Sequence, residues 1–188
     1  LATVRGAAAR GALVANHVRL VDLHHAGGRV VGALLEDLDR GGVFAVACRG
    51  AVNATGSWVD RVRRLDDPRA EPIARLSKGV HAVLPLDVPW TAGMAVFDDT
   101  RTAIAVPWQG MLLVGATDTE YDGDPDHVVP EQAEIDEVLD AVEPVLADGV
   151  VDRVRVVHSF AGLRVLPRCA GETARASRHH LVEVGRTG

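Results

Sequence analysis

Hydrophobic and polar residues alternate through the first part of the chain with the two-residue period of β-strands. The runs that follow this pattern are Leu13 to Leu23, Arg29 to Asp37 and Val43 to Cys48. The turns Ala26-Gly27-Gly28 and Arg40-Gly41-Gly42 separate them, which predicts an antiparallel meander. Before these strands, the alanine-rich residues 2–10 predict a helix that Gly11 ends.

The second part of the chain follows a polar linker, Asp66 to Glu71, and is also rich in strand patterns. Its clearest helix is predicted from Pro130 to Leu146, because apolar residues recur there at the helical period and Pro144 is expected to kink or end it. The predicted strands are Leu76 to Leu84, Met94 to Phe97, Thr102 to Pro107, Met111 to Ala116, Val150 to Phe160, Leu163 to Leu166 and Leu181 to Val184, with hairpin turns at Asp98-Asp99-Thr100 and Gln109-Gly110. These elements predict a mixed α/β (α+β) fold with a largely antiparallel β-sheet flanked by helices.

Composition and charge exclude several classes of function. Of the 188 residues, 47% are hydrophobic and 24% are charged, which is typical of a globular protein. The net charge of −6 gives no reason to expect nucleic acid as a partner, and no apolar run approaches the length of a membrane span. The two cysteines, Cys48 and Cys169, are far apart and are expected to be free thiols. Because no His, Cys, Asp or Glu cluster has metal-ligand spacing, we expect no metal site.

A small-residue corner, Ala54-Thr55-Gly56, follows the third predicted strand and precedes a short predicted helix from Ser57 to Leu65. Such a corner lets the backbone approach a bound group closely, and Ser57 can serve as the N-cap of the helix. Taken alone, the corner is better explained as a tight turn that requires a glycine.

Four further residues, at three places along the chain, could carry chemistry. His81 lies in an apolar strand pattern, where a hydrogen-bonded core histidine is the more common interpretation. Thr117 and Asp118 end a strand, and they could either serve a site or only cap a turn. Arg164 stands between Leu163 and Val165, so that a buried guanidinium there requires a carboxylate, phosphate or carbonyl partner.

Taken in order, several short blocks resemble the FAD-dependent glycerol-3-phosphate dehydrogenases, which belong to the flavoproteins similar to D-amino-acid oxidase. The matching blocks are Val52-Asn53-Ala54-Thr55-Gly56-x-Trp58-Val59-Asp60, Ser77-Lys78-Gly79-x-His81, Pro107-Trp108, Val114-Gly115-x-Thr117-Asp118-x-x-Tyr121-x-Gly123-Asp124-Pro125, Ala161-Gly162-Leu163-Arg164 and Ser177-Arg178. The series covers almost the whole chain, and its order is far more specific than any single block. Three departures are Ser57 where the family has Pro, Ala116 where it has Thr, and Val165 where it has Pro.

The resemblance implies site residues. It places Ala54, Thr55, Gly56 and Trp58 at the FAD cofactor. It makes His81, Thr117 and Arg164 the catalytic set, with Arg164 and Arg178 as substrate-binding residues. Two arginines are what a phosphate dianion needs for charge neutralisation.

The resemblance also implies the reaction and the domains. The reaction is oxidation of sn-glycerol 3-phosphate to dihydroxyacetone phosphate, with a hydride passing to FAD and electrons then passing to quinone or oxygen. Residues 1–66 would be a partial FAD-binding domain, residues 73–170 the substrate-binding domain, and residues 171–188 a return toward the FAD-binding domain. The expected location is the cytoplasm, with peripheral association at the inner face of the membrane as an open possibility.

Two alternatives remain open. Arg164 could equally hold a carboxylate, as in another FAD-dependent oxidase of the group that acts on an amino or hydroxy acid. A non-catalytic module derived from the substrate domain is the other. The family's Gly-x-Gly-x-x-Gly loop and its Gly-Gly-Lys-x-Thr-Thr segment are not in this sequence. We therefore expect an internal fragment of a longer enzyme, inactive by itself.

Overall fold

The structure is a computed structural model that describes residues 1–87, 89–97, 102–146, 150–168, 179 and 181–187. The chain divides into two compact units. The first comprises Leu1–Ala54, Arg61–Ala70 and Val182–Gly188, and the second comprises Thr55–Asp60 and Glu71–Leu181. The assignment of residues 1–66 to a cofactor domain and 73–170 to a substrate domain remains a prediction.

The first unit contains a three-stranded antiparallel sheet in the order β1-β2-β3, which confirms the predicted meander. Its elements are α1 (Ala2–Ala8), β1 (Val18–Ala26), β2 (Arg29–Asp37) and β3 (Val43–Ala47). Gly27, Gly28, Gly41 and Gly42 all have positive φ, so the two turns need glycine. The first strand begins at Val18 and not at Leu13, because His17 turns the backbone with a φ of 54°.

The corner after β3 differs in detail from the prediction. A 3-10 turn spans Gly56–Trp58, and helix α2 follows from Val59–Asp66. Gly56 has a φ of +58°, and the Trp58 N–H donates to the Thr55 carbonyl at 3.2 Å. The chain therefore turns one residue earlier than expected, and Ser57 lies inside the 3-10 turn instead of capping the helix.

The second unit is built on a six-stranded, antiparallel sheet. Its path runs β5-β6-β7-β4-β8, and β9 pairs with β4 as well. The strands are β4 (Ala74–Pro85), β5 (Met94–Phe97), β6 (Thr102–Trp108), β7 (Met111–Gly115), β8 (Thr119–Glu120) and β9 (His158–Pro167). Strand β4 is central, because β7 and β8 share one of its edges and β9 pairs along the other.

Helix α3 (Gln132–Val142) covers one face of this sheet and forms the core with it. This core contains Val80, Ala82 and Leu84 of β4 together with Leu139 and Val142 of α3, and the two helical residues are fully buried. Burial of a side chain of this size contributes roughly 1.5–3 kcal/mol, so this interface is the principal hydrophobic stabilisation of the second unit.

The predicted bounds of this helix were too wide. Glu131 is the N-cap, and it forms a capping box with Glu134, so the helix begins after Pro130. At the other end the chain passes into a 3-10 turn, Glu143–Val145, where Pro144 removes a backbone donor.

Two predicted strands were wrong. Val150 to Phe160 is not one strand: a 3-10 turn occupies Arg153–Arg155, and the Arg153 guanidinium bonds the carboxylates of Asp140 and Glu143 on the neighbouring helical segment. Strand β9 then runs unbroken through Gly162 to Pro167, so the predicted break before Leu163 is absent. Leu181 to Val184 has no strand pairing.

Among the elements that the structure describes, no helix has both the length and the apolar character needed to cross a membrane. The predicted turn at Asp98-Asp99-Thr100 lies outside the described residues. Cys48 is a free thiol, as expected, whereas Cys169 lies outside the described part of the chain.

Candidate active site

The candidate site lies on the face of the sheet opposite α3. Side chains along β4 point alternately to the two faces of the sheet, so every second residue lies on the same face. Antiparallel register pairs Ser77 with Arg164, Gly79 with Gly162, and His81 with Phe160. Directly paired residues project from the same side of the sheet. We call the surface formed by Ser77, Gly79, His81, Phe160 and Arg164 the arginine face.

The Arg164 guanidinium is held at one nitrogen. Its Nη1 donates to the Thr117 carbonyl at 3.0 Å and to the Ser77 hydroxyl at 3.2 Å. The Ser77 hydroxyl in turn donates to the Asp118 carboxylate, which lies 4.0 Å from Nη1. This carbonyl, hydroxyl and carboxylate are the polar partners that we expected a guanidinium in this strand to require.

Gly79 lies directly beneath this guanidinium. A Cβ on Gly79 would lie 2.5 Å from Nη2 and 2.8 Å from Cζ of Arg164. Gly115 lies equally close to the His81 ring: a Cβ on Gly115 would lie 2.4 Å from the His81 Cδ2. The absence of a side chain at Gly79 and at Gly115 thus lets the Arg164 guanidinium and the His81 ring lie close against the sheet.

His81 stacks on Phe160 with a ring separation of 5.1 Å and an angle of 7° between the planes. Phe160 also stacks with His158 at 6.1 Å. Burial lowers the pKa of His81 from its ordinary value, and the positive charge of Arg164 lowers it further. The imidazole is therefore neutral at pH 7 and can accept a proton or a hydrogen bond.

Thr117 is buried, with 3% of its surface exposed, and its hydroxyl is used within the sheet. The Oγ1 accepts the Val80 N–H at 3.0 Å and donates to the Lys78 carbonyl at 3.4 Å. It is the Thr117 carbonyl that contacts Arg164. The geometry gives Thr117 a positioning contact, and its predicted catalytic role remains a prediction.

Lys78, in the same sequence motif, lies on the opposite face of the sheet. Its Nζ is 2.8 Å from the Glu134 carboxylate, and both side chains are about nine-tenths buried, with 8% and 11% exposed. The ammonium also contacts the Val129 carbonyl at 3.4 Å. This pair joins β4 to the start of α3 and belongs to the core.

The residues predicted to contact the cofactor are accessible. Ala54, Thr55 and Gly56 are exposed, and nothing lies within 4 Å of where a Cβ on Gly56 would be. The backbone is therefore open to a large bound group at this glycine. Trp58 is 39% exposed, and its indole N–H donates to Asp126 at 2.8 Å. These residues fit a role in holding a cofactor.

Asp60, the last residue of the corner motif, has a different function. Its carboxylate accepts the backbone N–H groups of Ile73 and Ala74 at 3.0 and 3.1 Å. These bonds fix the start of β4, the strand that carries Ser77, Gly79 and His81. Asp60 thus fixes the start of the strand that carries the candidate site.

One predicted site residue, Arg178, lies outside the described residues. Asp118, named with Thr117 as either a site residue or a turn cap, lies beside Arg164. Conversely, the roles of Ser77, Gly79 and Phe160 were missed. Period-two spacing from His81 could have placed Ser77 and Gly79 on its face, whereas the position of Phe160 depends on strand register. No group of three or more potential metal ligands occurs in the described part of the chain.

Comparison with known proteins identifies the family. The family described as FAD dependent oxidoreductase (DAO) matches residues 1–185. The chain belongs to the FAD dependent oxidoreductase family. This confirms the predicted flavoprotein group and its cofactor, FAD, and the mixed fold with antiparallel sheets agrees with it.

Several relatives with similar sequences are named glycerol-3-phosphate dehydrogenases. Glycerol-3-phosphate dehydrogenase 2 of Mycobacterium tuberculosis is 34% identical over 192 residues, covering 100% of this chain and 32% of the relative. The human mitochondrial glycerol-3-phosphate dehydrogenase is 34% identical over 201 residues, covering 100% of this chain and 27% of the relative. The X-ray structure of glycerol-3-phosphate dehydrogenase from Bacillus halodurans complexed with FAD superposes with a TM-score of 0.76 at 31% identity, covering 86% of this chain and 33% of that one. The chain thus spans about a third of the length of the relatives it matches.

Proposed function

We propose that this chain supplies the substrate-binding face of an enzyme that oxidises sn-glycerol 3-phosphate to dihydroxyacetone phosphate with FAD. The observation that carries the proposal is the Arg164 guanidinium on the arginine face. Residues 1–66 would then contribute to the FAD-binding domain, residues 73–170 would bind substrate, and residues 171–188 would return to the FAD-binding domain. The names of the relatives support this substrate over others.

The bonding of Arg164 supports an anionic substrate. Within the described residues its hydrogen bonds all use Nη1. We infer that Nη2 and Nε, which have no acceptor among those residues, donate to the ligand, because they have the planar geometry that suits two oxygens of a phosphate or carboxylate. With 31% of its side chain exposed, the arginine is accessible from the arginine face. Arg178 is proposed as the second cation for the phosphate.

His81 is the proposed partner of the reacting alcohol. A neutral imidazole can accept the hydroxyl proton as the C2 alcohol is oxidised, whereas an imidazolium cannot. The burial and the nearby positive charge that lower its pKa keep it in this form. Thr117 completes the proposed catalytic set by holding Arg164 through its carbonyl.

FAD, when bound, supplies the two-electron redox chemistry of the reaction. Ala54, Thr55, Gly56 and Trp58 are proposed to hold it, because they are exposed and the backbone at Gly56 is open. Quinone or oxygen is proposed as the final electron acceptor. A cytoplasmic location, with peripheral association at the inner face of the membrane, is proposed with it.

Steady-state kinetics of the full-length, FAD-loaded protein test the proposal. We expect glycerol 3-phosphate to be oxidised with a higher kcat/KM than glycine, D-alanine or 2-hydroxyglutarate. Arg164→Ala should lower kcat/KM by on the order of 100-fold or more, because a charge-assisted contact to the anion is lost. Arg155→Ala is the matched control, since it removes an exposed arginine of the same unit whose carboxylate partner is Asp87.

The competing functions give different outcomes. A preference for an amino or hydroxy acid would identify another oxidase of the group, and no turnover of any substrate would favour a non-catalytic module. Unchanged kinetics in Arg164→Ala would remove Arg164 from the site.

A further inference from the structure

We infer that Gly79 is a positioning residue: by lacking a side chain, it fixes the Arg164 guanidinium against β4 and so sets where the substrate anion binds. The identity of that anion rests on the proposed function. The placement of Arg164 by Gly79 does not, because it follows from contacts within the second unit.

A glycine in the middle of a central strand requires an explanation. Glycine weakens a strand, because it contributes no side chain to packing and loses more entropy on folding than other residues. Here two glycines lie directly opposite each other, Gly79 on β4 and Gly162 on β9. Neither has a positive φ, so a turn conformation does not account for them.

The surroundings of the two glycines differ. A Cβ on Gly79 would lie 2.5, 2.8 and 2.8 Å from three guanidinium atoms of Arg164. A Cβ on Gly162 would meet nothing within 4 Å. The close approach of Arg164 thus explains why position 79 is a glycine, but it does not explain the glycine at position 162. Because Gly79 and Gly162 are directly paired across the two strands, replacing each with alanine gives a matched comparison.

Adding a methyl group at Gly79 would move the guanidinium and leave the sheet intact. Ordinary contact between nonbonded heavy atoms is about 3.5–4.0 Å, so the head group must shift by roughly 1 Å. It can do so, because the atoms in the way are the far end of a flexible side chain. Gly115 differs, since a Cβ there would also lie 2.8 Å from the Val80 carbonyl oxygen, which is backbone.

A shift of this size matters for binding. Nη1 of Arg164 is fixed by the Thr117 carbonyl and the Ser77 hydroxyl, so a displaced head group loses these bonds. A misplacement of about 1 Å in a substrate-positioning group can cost on the order of 100-fold in rate. The expected effect is on substrate binding, with little effect on folding.

The first test compares Gly79→Ala with Gly162→Ala in the full-length, FAD-loaded protein. We expect Gly79→Ala to raise the KM for glycerol 3-phosphate by about 10- to 100-fold with a smaller change in kcat and an unchanged Tm. Gly162→Ala should leave all three at the wild-type values. An equal rise in KM in both variants, or a matching loss of Tm in Gly79→Ala, would overturn the inference.

A double-mutant cycle shows whether the effect passes through Arg164. In an Arg164→Ala background the guanidinium is absent, so Gly79→Ala should raise KM by no more than about twofold. A full additional loss in that background would mean that Gly79 acts independently of Arg164, and the inference would be wrong.

Chemical labelling separates this inference from the proposed function. Phenylglyoxal modifies accessible guanidinium groups, and its reaction at Arg164 can be followed by peptide mass spectrometry without any substrate. Displacement by Gly79→Ala should increase labelling of Arg164, whereas Gly162→Ala should not. If the wild-type protein fails to oxidise glycerol 3-phosphate, the proposed function fails, and this labelling comparison still decides the role of Gly79.

Discussion

A guanidinium group stays positively charged in proteins, so the neighbours of Arg164 must adapt to a fixed charge. Thr117 and Ser77 do so by providing oxygen acceptors, and Asp118 provides a negative charge 4.0 Å away. His81 adapts by losing its proton more readily, because burial and the guanidinium charge both lower its pKa. The chemistry of the arginine face therefore depends on the coupling between these two side chains.

This coupling predicts a pH dependence. The kcat/KM of the full-length enzyme should be constant where His81 is neutral and fall as the pH drops through its pKa, which lies below the ordinary value of 6.5. Arg164→Gln removes the charge that helps to lower this pKa, so the fall should begin at a higher pH. Arg164→Lys keeps the charge and should leave the fall close to its wild-type position.

The same shift affects stability with a defined sign. The unfolded chain binds the His81 proton near pH 6.5, whereas the folded chain binds it only at lower pH. His81 therefore lowers the free energy of unfolding as the pH falls below 6.5. Identical pH profiles of kcat/KM for Arg164→Gln and Arg164→Lys would contradict the coupling between Arg164 and His81.

At the scale of elements, β4 serves two functions on its two faces. One face carries Ser77, Gly79 and His81 of the site, and the other packs Val80 and Leu84 against α3. This alternation is visible in the sequence and puts His81 on the face opposite Val80 and Leu84, although the apolar pattern by itself favoured a core histidine. The sequence did not reveal that Lys78 is buried, because its carboxylate partner Glu134 lies 56 residues further along the chain (134 − 78).

Breaking this ion pair should destabilise the protein. Glu134→Gln removes the nearer of two carboxylates at the Lys78 ammonium and leaves that of Glu131 at 3.8 Å, so it should lower the free energy of unfolding by about 1–3 kcal/mol. Glu137→Gln, at an exposed position of the same helix, should change it by less than about 0.5 kcal/mol. Chemical denaturation measures the free energy of unfolding of both variants. Equal stability of the two variants would show that the Lys78–Glu134 contact contributes nothing.

Helix and strand boundaries were predictable where local pattern decides them. The turns at Gly27-Gly28 and Gly41-Gly42 are examples, because positive φ at both positions requires a specific residue type. By contrast, the turn at Arg153–Arg155 replaces a predicted strand because Arg153 bonds carboxylates beside α3, a tertiary contact that no local pattern encodes.

At the scale of the whole molecule, the ordered series of blocks along the chain predicted the flavoprotein group, and the family match confirms it. The FAD dependent oxidoreductase family matches residues 1–185, and named glycerol-3-phosphate dehydrogenases match at 34% identity. His81 and Arg164 could be singled out from sequence because a histidine and an arginine stand out in apolar strand patterns. Gly79 could not be given its role, because that role depends on a guanidinium brought to it by β9.

We propose that Arg164 binds glycerol 3-phosphate for its oxidation with FAD. Anaerobic mixing of the full-length, FAD-loaded protein with glycerol 3-phosphate tests it most directly, because loss of the oxidised flavin absorbance reports a single turnover without an electron acceptor. The wild-type protein should bleach with a rate that saturates in glycerol 3-phosphate, and Arg164→Ala should require on the order of 100-fold more substrate for the same rate. Bleaching of both proteins at the same substrate concentrations, or no bleaching of the wild type, would contradict the claim.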